Sequence, residues 1–151
     1  MITIDEFKNK ITKKSRLLGL DLGSKRIGVA ICDDHQSIAT PFKTIYKENS
    51  GQFVNELKLI IKENNIKGII VGYPLNMDGS IGKSSQSSTD FARKLSANVT
   101  IPISMWDERL SSEGSFKITK ELGTNVSNRI DKLDKNAAAF ILQGAIDYLS
   151  N

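Results

Sequence analysis

Large and small side chains alternate along two neighbouring segments near the start of the chain. Leucine occupies every second position from 18 to 22, and isoleucine or valine occupies every second position from 27 to 31. A period of two places alternate side chains on opposite faces of an extended strand, so both segments are predicted to be β-strands. The polar segment 23–26 has the composition of a turn. The pattern therefore predicts a β-hairpin over residues 17–32.

Farther along the chain, the apolar spacing changes between helical and strand patterns. Helical spacing predicts three helices, and short apolar runs predict three more strands. The helices cover about 52–64, 86–97 and 134–149, and the strands lie near 42–46, 68–71 and 101–106. Polar loops are expected over 76–89 and 123–133, and a further helix start at Ser111 or Ser112. Antiparallel strands followed by strand–helix alternation indicate an α/β fold, a mixed five-stranded sheet with helices on both faces.

The composition is that of one folded domain. The 151 residues are 39% hydrophobic and 25% charged, which is typical of globular proteins and unlike disordered chains. The single cysteine, Cys32, has apolar neighbours, so we expect a buried thiol in a reducing compartment. No stretch approaches the roughly 18 consecutive apolar residues of a membrane span, and no signal-peptide pattern is present. A cytoplasmic protein without membrane contact is therefore expected.

Positive charge is concentrated at the start of the chain. Lys and Arg number 21 against 17 Asp and Glu, a net charge of +4, and residues 1–16 alone hold five basic and two acidic side chains. We interpret residues 1–16 as a basic N-terminal extension and residues 17–151 as the domain. The extension is either a frayed or solvated helix or an arm that touches nucleic acid.

Carboxylates stand at three boundaries between predicted elements. Asp21 lies on the glycine-containing face of the first strand, Asp107 and Glu108 end the last predicted strand, and Asp134 begins the final helix. Each also has an ordinary structural interpretation: a hydrogen bond to a turn, an ion pair with Arg109, and an N-cap, respectively. The acids would converge if the sheet order places those ends side by side.

Clustered carboxylates without His or Cys favour hard cations. Mg²⁺ prefers oxygen ligands, and two such ions roughly 3.5–4 Å apart can activate a water and stabilise the leaving oxygen of a phosphodiester. Zinc is not expected, because His35 has no second His or Cys at ligand spacing. The predicted ligands of Mg²⁺, or of Mn²⁺ in its place, are Asp21, Asp107, Glu108 and Asp134.

Basic and polar residues near these acids are candidates for contacts with phosphates. Lys25 and Arg26 lie in the turn beyond Asp21, where they would either hold a phosphate or remain solvated turn cations. Tyr73 and Trp106 lie at strand ends and would either stack on bases or belong to the core. The full set of predicted nucleic-acid contacts is Lys25, Arg26, Asn76, Lys83 and Arg109.

Four blocks of the sequence resemble the YqgF (RuvX) family in order and spacing. They are LDLGSKRIGVA from residue 20, VGYPLNMDGS from residue 71, DERLS from residue 107, and Asp134 followed by AAAFILQ from residue 137. The blocks span nearly the whole chain, and their combination is highly specific. The resemblance implies an RNase H-like fold related to the RuvC Holliday-junction resolvases. It also implies a nuclease that processes the 5′ end of pre-16S ribosomal RNA.

The resemblance assigns roles to the acids. It implies that Asp21 is the first-strand metal ligand, that Glu108, together with Asp107, is the second acid, and that Asp134 is the helix-borne acid. In the resolvase relatives the second acid ends the fourth strand, but here that position falls in the segment 72–74, which has no carboxylate. The substitute must come from Asp107 and Glu108 or from Asp78 in the following loop.

Three functional hypotheses follow. The first is a metal-dependent endonuclease of the two-metal type acting on structured RNA, with pre-16S rRNA as the favoured substrate. The second keeps the same site but cleaves branched DNA, as the resolvase resemblance suggests. The third is a non-catalytic nucleic-acid-binding factor of ribosome assembly, favoured by the missing fourth-strand acid. A monomer or a homodimer is compatible with each hypothesis.

Overall fold

A mixed five-stranded sheet with helices on both faces forms the framework of the protein. The computed structural model describes residues 1–23, 25–47, 52–73, 83–108 and 126–150, with the backbone alone for residues 73, 83–85 and 126–135. The strands are β1 (Arg16–Leu22), β2 (Arg26–Cys32), β3 (Ala39–Tyr46), β4 (Ile66–Tyr73) and β5 (Ile103–Asp107). The helices are α1 (Ile4–Lys10), α2 (Gln52–Glu63), α3 (Lys83–Ser96) and α4 (Val126–Leu149). These elements confirm the predicted fold class and the predicted hairpin.

The strand order determines which chain ends meet. The order is β3-β2-β1-β4-β5, with β1 antiparallel to β2 and β2 antiparallel to β3. The pairs β1–β4 and β4–β5 are parallel. Because parallel strands run in the same direction, the carboxyl-terminal ends of β1, β4 and β5 lie together at one end of the sheet.

Alternation along the strands divides the core into two layers. Leu18 and Leu20 of β1 face the layer covered by α2 and α3, whereas Leu17 faces the layer covered by α1 and α4. All three leucines are fully buried, and burial of each stabilises the fold by about 1.5–3 kcal/mol. Cys32 is also buried in the second layer, as predicted.

Glycine allows α4 to lie close to the sheet. A Cβ atom at Gly19 of β1 would lie 2.6 Å from the Cβ of Leu142 and 3.1 Å from the carbonyl oxygen of Ala138. Real Cβ atoms do not approach this closely, so a larger residue at position 19 would push the helix away. The close packing brings the backbone of α4 directly over β1.

The helix expected within residues 1–16 is present and most of its residues are exposed, but it is not frayed. Phe7 of α1 is fully buried, and Ile2 forms a β-bridge with Ser104 beside β5. The helix is also capped, because the Thr3 hydroxyl accepts a hydrogen bond of 3.2 Å from the Glu6 amide. The segment is therefore held by the core, although one side of α1 carries its basic residues into solvent.

Two helices begin earlier than predicted. α4 begins at Val126, eight residues before Asp134, so the predicted loop at 123–133 is wrong from 126 onward. α3 begins at Lys83, within the predicted serine-rich loop at 76–89. Serine is a weak helix former, but buried Ala92 and Leu95 anchor α3 against the sheet and outweigh that preference. The helix start predicted at Ser111 or Ser112 lies outside the described residues.

Candidate active site

The predicted acids of the strands lie at the carboxyl-terminal end of the parallel strands. Asp21 is the sixth residue of β1, Asp107 ends β5, and Glu108 follows it directly. Between them β4 contributes Gly72, whose register partner on β5 is Trp106. We call this region, defined by Asp21, Asp107 and Glu108, the acid end of the sheet.

Asp21 faces α4. Its partner on β2 is Gly28, and it shares a face of β1 with Gly19, over which Leu142 of α4 packs. A carboxylate on this covered face would carry a desolvation cost if nothing balanced its charge. Asp21 therefore lies where the sequence predicted, on the face of β1 that carries glycine, at the acid end of the sheet.

Glu108 fills the space above Gly72. A Cβ atom at Gly72 would lie 2.9 Å from Oε1 of Glu108 and 2.5 Å from Cδ1 of Ile141 in α4. The Glu108 carboxylate, which directly follows β5, thus lies over Gly72, in the segment 72–74 where the resolvase relatives were expected to carry their acid. Gly72 has no side chain, so the carboxylate can occupy the space above it.

The carboxylates at the acid end repel one another. The pKa of Glu108 is raised to about 7, first by burial and then by the negative charges of Asp21 and Asp107. Asp21 and Asp107 therefore both lie within electrostatic reach of Glu108. Their oxygen donors are of the kind that a hard divalent cation prefers.

The third predicted acid, Asp134, lies inside α4. The N-cap interpretation is wrong because the helix begins eight residues earlier. Position 134 precedes Ala138 and Ile141 by four and seven residues, and these pack at Gly19 and Gly72. Since helical spacing repeats at four and seven residues, all three positions share one face of α4.

The C-terminal end of α4 lies against α1. Tyr148 donates a hydrogen bond of 2.9 Å to Asp5 of α1, and Phe7 of α1 packs at Gly68 near the start of β4. Ile141, seven residues after position 134, packs at Gly72 of the acid end. Among the side chains that the structure describes, no group of three or more His, Cys, Asp or Glu is arranged to hold a metal. The side chain of Asp134 is not among them.

The turn between β1 and β2 presents one of its two cations on the same face. Arg26 is half-buried and pairs with Tyr46 of β3. It lies two residues before Gly28 on β2, and Gly28 is the partner of Asp21. Residues of equal parity share a face, so Arg26 lies on the face that carries Asp21. Lys25 is exposed beside it. The turn is closed by a hydrogen bond of 2.8 Å from the Gly23 amide to the Arg26 carbonyl.

Lys47 is a residue at this site that the sequence reasoning missed. Its Nζ donates a hydrogen bond of 2.8 Å to the Gly23 carbonyl, and its amide donates one of 2.9 Å to the Lys25 carbonyl. Burial lowers the pKa of its ammonium group. The pairing of Arg26 with Tyr46 is the signal that brings Lys47 to the turn. That register includes a β-bulge at Val29 and Ala30, which alternation alone does not reveal.

The remaining predicted contacts have different outcomes. Trp106 is only 2% exposed and packs against Tyr148 with ring centroids 5.6 Å apart, so the idea that it stacks on bases is wrong. Lys83 opens α3 and is described in its backbone alone. The predictions for Asn76, Asp78 and Arg109 lie outside the described residues, as does the side chain of Tyr73.

Cys32 is an inert thiol of the core. Burial raises its pKa to about 11, and its sulfur accepts a hydrogen bond of 3.2 Å from the Leu17 amide.

Within the described ranges, none of the helices is long and apolar enough to cross a membrane.

Comparison with known proteins places the chain in a family. A family model described as "RuvX: Holliday junction resolvase" matches residues 15–148. A protein of Pelagibacter ubique is 61% identical over 151 residues and covers all of both chains. A protein of Ruegeria pomeroyi is 44% identical over 149 residues, covering 99% of this chain and 97% of its own. Both relatives bear the name "Putative pre-16S rRNA nuclease".

Solved structures support the same assignment at the level of the fold. RuvC of Thermus thermophilus in complex with a Holliday junction substrate has a TM-score of 0.57 at 9% identity, covering 91% of this chain and 97% of its own. A second structure of Thermus thermophilus RuvC has a TM-score of 0.56 at 6% identity, covering 90% of this chain and 97% of its own. With a family match over nearly its whole length and the RuvC fold around its acids, the chain belongs to the RuvX family.

Proposed function

We propose that this protein is a metal-dependent nuclease that processes the 5′ end of pre-16S ribosomal RNA. The observation that carries the proposal is the carboxylate of Glu108 above Gly72, within electrostatic reach of Asp21. The names of the relatives supply the substrate. A carboxylate whose pKa is raised by burial and by neighbouring acids at the end of a sheet is more typical of a functional site than of a structural one, which supports the proposal.

The donor set fits Mg²⁺ or Mn²⁺. Asp21 and Glu108 would hold the ion, with Asp107 and Asp134 completing an oxygen-only set, and no His or Cys is required. When bound there, one or two such ions supply activation of water and stabilisation of the leaving oxygen. The number of ions and the participation of Asp134 are part of the proposal.

The chain's own residues would position the RNA. Arg26, on the same face as Asp21, would hold a phosphate by paired hydrogen bonds, and exposed Lys25 would add a second cation. Asn76, Lys83 and Arg109 are also proposed to contact the RNA backbone. A cytoplasmic location stays a prediction.

Cleavage of branched DNA is the second candidate function. The description of the family model and the Holliday junction bound to the RuvC relative favour it. The same acid end would serve either substrate, because the chemistry acts on the phosphodiester and not on the sugar. The carboxylate of Glu108 above Gly72 supports a catalytic site over the non-catalytic hypothesis.

One set of variants tests the proposal. Asp21→Asn and Glu108→Gln should slow Mg²⁺-dependent cleavage of a pre-16S rRNA fragment by roughly 100-fold or more, the scale of losing one group that stabilises the transition state. Glu63→Gln, an exposed acid of α2, is the matched control and should cleave like the wild type. Asp21→Asn protein that cleaves as fast as wild type would refute the proposal.

A competition experiment decides between the two substrates. Cleavage of the pre-16S rRNA fragment is measured in the presence of a four-way DNA junction as competitor.

A further inference from the structure

A basic cleft lies at the end of the sheet opposite the acids. It has a volume of about 370 Å³ and is formed where β1 and β4 begin and where the turn after β2 passes. Its walls include Thr12, Lys14, Arg16, Asp34, His35 and Lys67. We call it the basic cleft. The nuclease proposal assigns it no role.

A β-bulge supplies one of the cations. Arg16 pairs with Ile66 and Leu17 pairs with Gly68, so Lys67 is an extra residue between two registered pairs. A bulge redirects the side chain of its extra residue and is found disproportionately beside functional sites. Here it places exposed Lys67 next to Arg16 at the rim of the cleft.

The walls of the basic cleft are braced by hydrogen bonds. The side-chain amide of Gln36 donates to the carbonyls of Thr12 and Ser15, at 2.7 and 2.8 Å. These bonds tie the turn that carries Asp34 and His35 to the segment that carries Lys14. The guanidinium of Arg16 donates to the carbonyls of Cys32 and Asn64, each at 3.3 Å. These hydrogen bonds hold the backbone segments that carry the cations in place.

The charge of the cleft is unbalanced. Lys14, Arg16 and Lys67 are opposed by Asp34 alone, whose carboxylate lies 3.7 Å from Nε of Arg16 with a side chain 75% exposed. An exposed pair at this distance contributes little binding energy, so a more strongly charged partner can displace Asp34. A phosphate group beside the three cations of the lining is such a partner.

We propose that the basic cleft is a second binding site for the phosphate backbone of the substrate RNA. This inference rests on the proposed nuclease function and adds a docking point distant from the chemistry. Arg16 and Asp21 are five residues apart on β1, so the cleft and the acids are separated by about 17 Å at roughly 3.3 Å per residue. A helical arm of the precursor RNA can therefore contact the cleft while its flank lies at the acids.

A pair of surface variants tests this site. Lys14 and Lys67 are both exposed, so K14A/K67A removes two charges without disturbing the core; K58A/K62A removes two exposed lysines of α2 and serves as the control. Affinity for a labelled RNA hairpin with a single-stranded flank is measured in EDTA, without cleavage. K14A/K67A should weaken binding about tenfold and reduce the slope of log K against log salt by about 2, whereas the control should stay within twofold. Asp34→Asn should tighten binding by roughly twofold.

The outcomes are separable. Equal losses in K14A/K67A and K58A/K62A would overturn the proposal, because overall charge would then explain them. A second result would also overturn the proposal. If K14A/K67A bound RNA as tightly as wild type, but inorganic phosphate raised the melting temperature of wild type and K58A/K62A and not of K14A/K67A, the cleft would be a site for free phosphate. Because binding is measured without metal, its failure differs from a failure of the nuclease proposal, which would appear as cleavage by Asp21→Asn.

Discussion

The two ends of the sheet carry opposite charges on the same strands. At the acid end β1 and β5 bring together Asp21, Asp107 and Glu108, whereas at the other end β1 and β4 begin at the basic cleft with Arg16 and Lys67. The net charge of +4 averages over both. A polyanion is attracted to the basic surface, while a cation at the acids would remove the repulsion that the pocket itself exerts.

The two ends also differ in the geometric device that creates them. The acid end depends on an omission, since Gly72 has no side chain and Glu108 occupies the space. The basic cleft depends on an insertion, since Lys67 is an extra residue in the ladder. An acid cluster requires atoms from several strands within a few ångströms of one another, whereas an anion cleft requires mainly a surplus of charge. The acid end should therefore be far more sensitive to small structural changes.

The largest expected contrast comes from adding a methyl group at two glycines of β4. Gly72→Ala places its Cβ 2.5 Å from Ile141 and 2.9 Å from Glu108; Gly68→Ala places its Cβ 2.5 Å from Phe7, on the same face near the other end. Both should lose about 1–3 kcal/mol of stability from overpacking. Only Gly72→Ala displaces the Glu108 carboxylate, so only it should slow cleavage, by roughly 100-fold. Urea unfolding and single-turnover cleavage measure the two effects.

Gly68→Ala is the matched control for this comparison. It shares the strand, the face and the steric conflict of Gly72→Ala, so it separates general destabilisation from damage at the acids. Equal losses of activity in the two variants would show that the acid end has no special dependence on Gly72.

The second contrast is the pH dependence of stability without metal. Glu108 has a pKa of about 7 in the folded protein against an ordinary value of 4.5. Between these values the folded state binds a proton that the unfolded state does not, so this contribution to stability falls as pH rises from 4.5 to 7. Glu108→Gln should therefore be more stable than wild type at pH 8 by about 1–2 kcal/mol, after allowance for partial exposure and solvent screening.

Urea unfolding at pH 5 and pH 8 measures this effect. Between pH 5 and pH 8, wild type and Glu63→Gln should lose more stability than Glu108→Gln. At pH 8, Mg²⁺ should restore the stability of wild type and of Glu63→Gln but should not stabilise Glu108→Gln. Parallel stability curves for wild type and Glu108→Gln would show that the acid end is not electrostatically strained.

The sequence predicted the framework better than the site. Alternation in residues 17–32 predicted β1 and β2, and the glycine face marked Asp21, because a period of two is a local property. The location of Glu108 above Gly72 is not local, since it depends on the register between β4 and β5. Sequence reasoning left Asp107, Glu108 and Asp78 as alternatives for that reason.

Two other misses had readable signals. Val126, Ile130 and Leu133 follow helical spacing and continue the apolar stripe of α4 toward its beginning, but the polar residues between them suggested a loop. Ile4, Phe7 and Ile11 are similarly spaced in and beside α1, where the lysines dominated the interpretation. In both cases a short stripe of apolar residues at helical spacing predicts a helix despite the polar composition around it.

The smallest contrast tests how the turn at the acid end is held. Lys47 and Lys94 both place Nζ over a ring of the stacked pair Phe53 and Phe91, at 5.8 Å from Phe91 and 5.5 Å from Phe53, but only Lys47 also donates to the Gly23 carbonyl. Lys47→Met should loosen the turn that carries Arg26 and raise KM roughly threefold to tenfold, about 1 kcal/mol for one hydrogen bond, with little change in kcat.

Lys94→Met removes a cation from the same aromatic pair without touching the turn, so its KM should match wild type. Lys47→Arg keeps a donor and should recover most of the loss. Faster hydrogen exchange at the Gly23 amide, which bonds to the Arg26 carbonyl, should accompany Lys47→Met alone. If Lys94→Met raised KM equally, the aromatic stack and not the Gly23 contact would hold the turn. Helix α3, which carries Phe91 and Lys94, would then support the turn at the acid end.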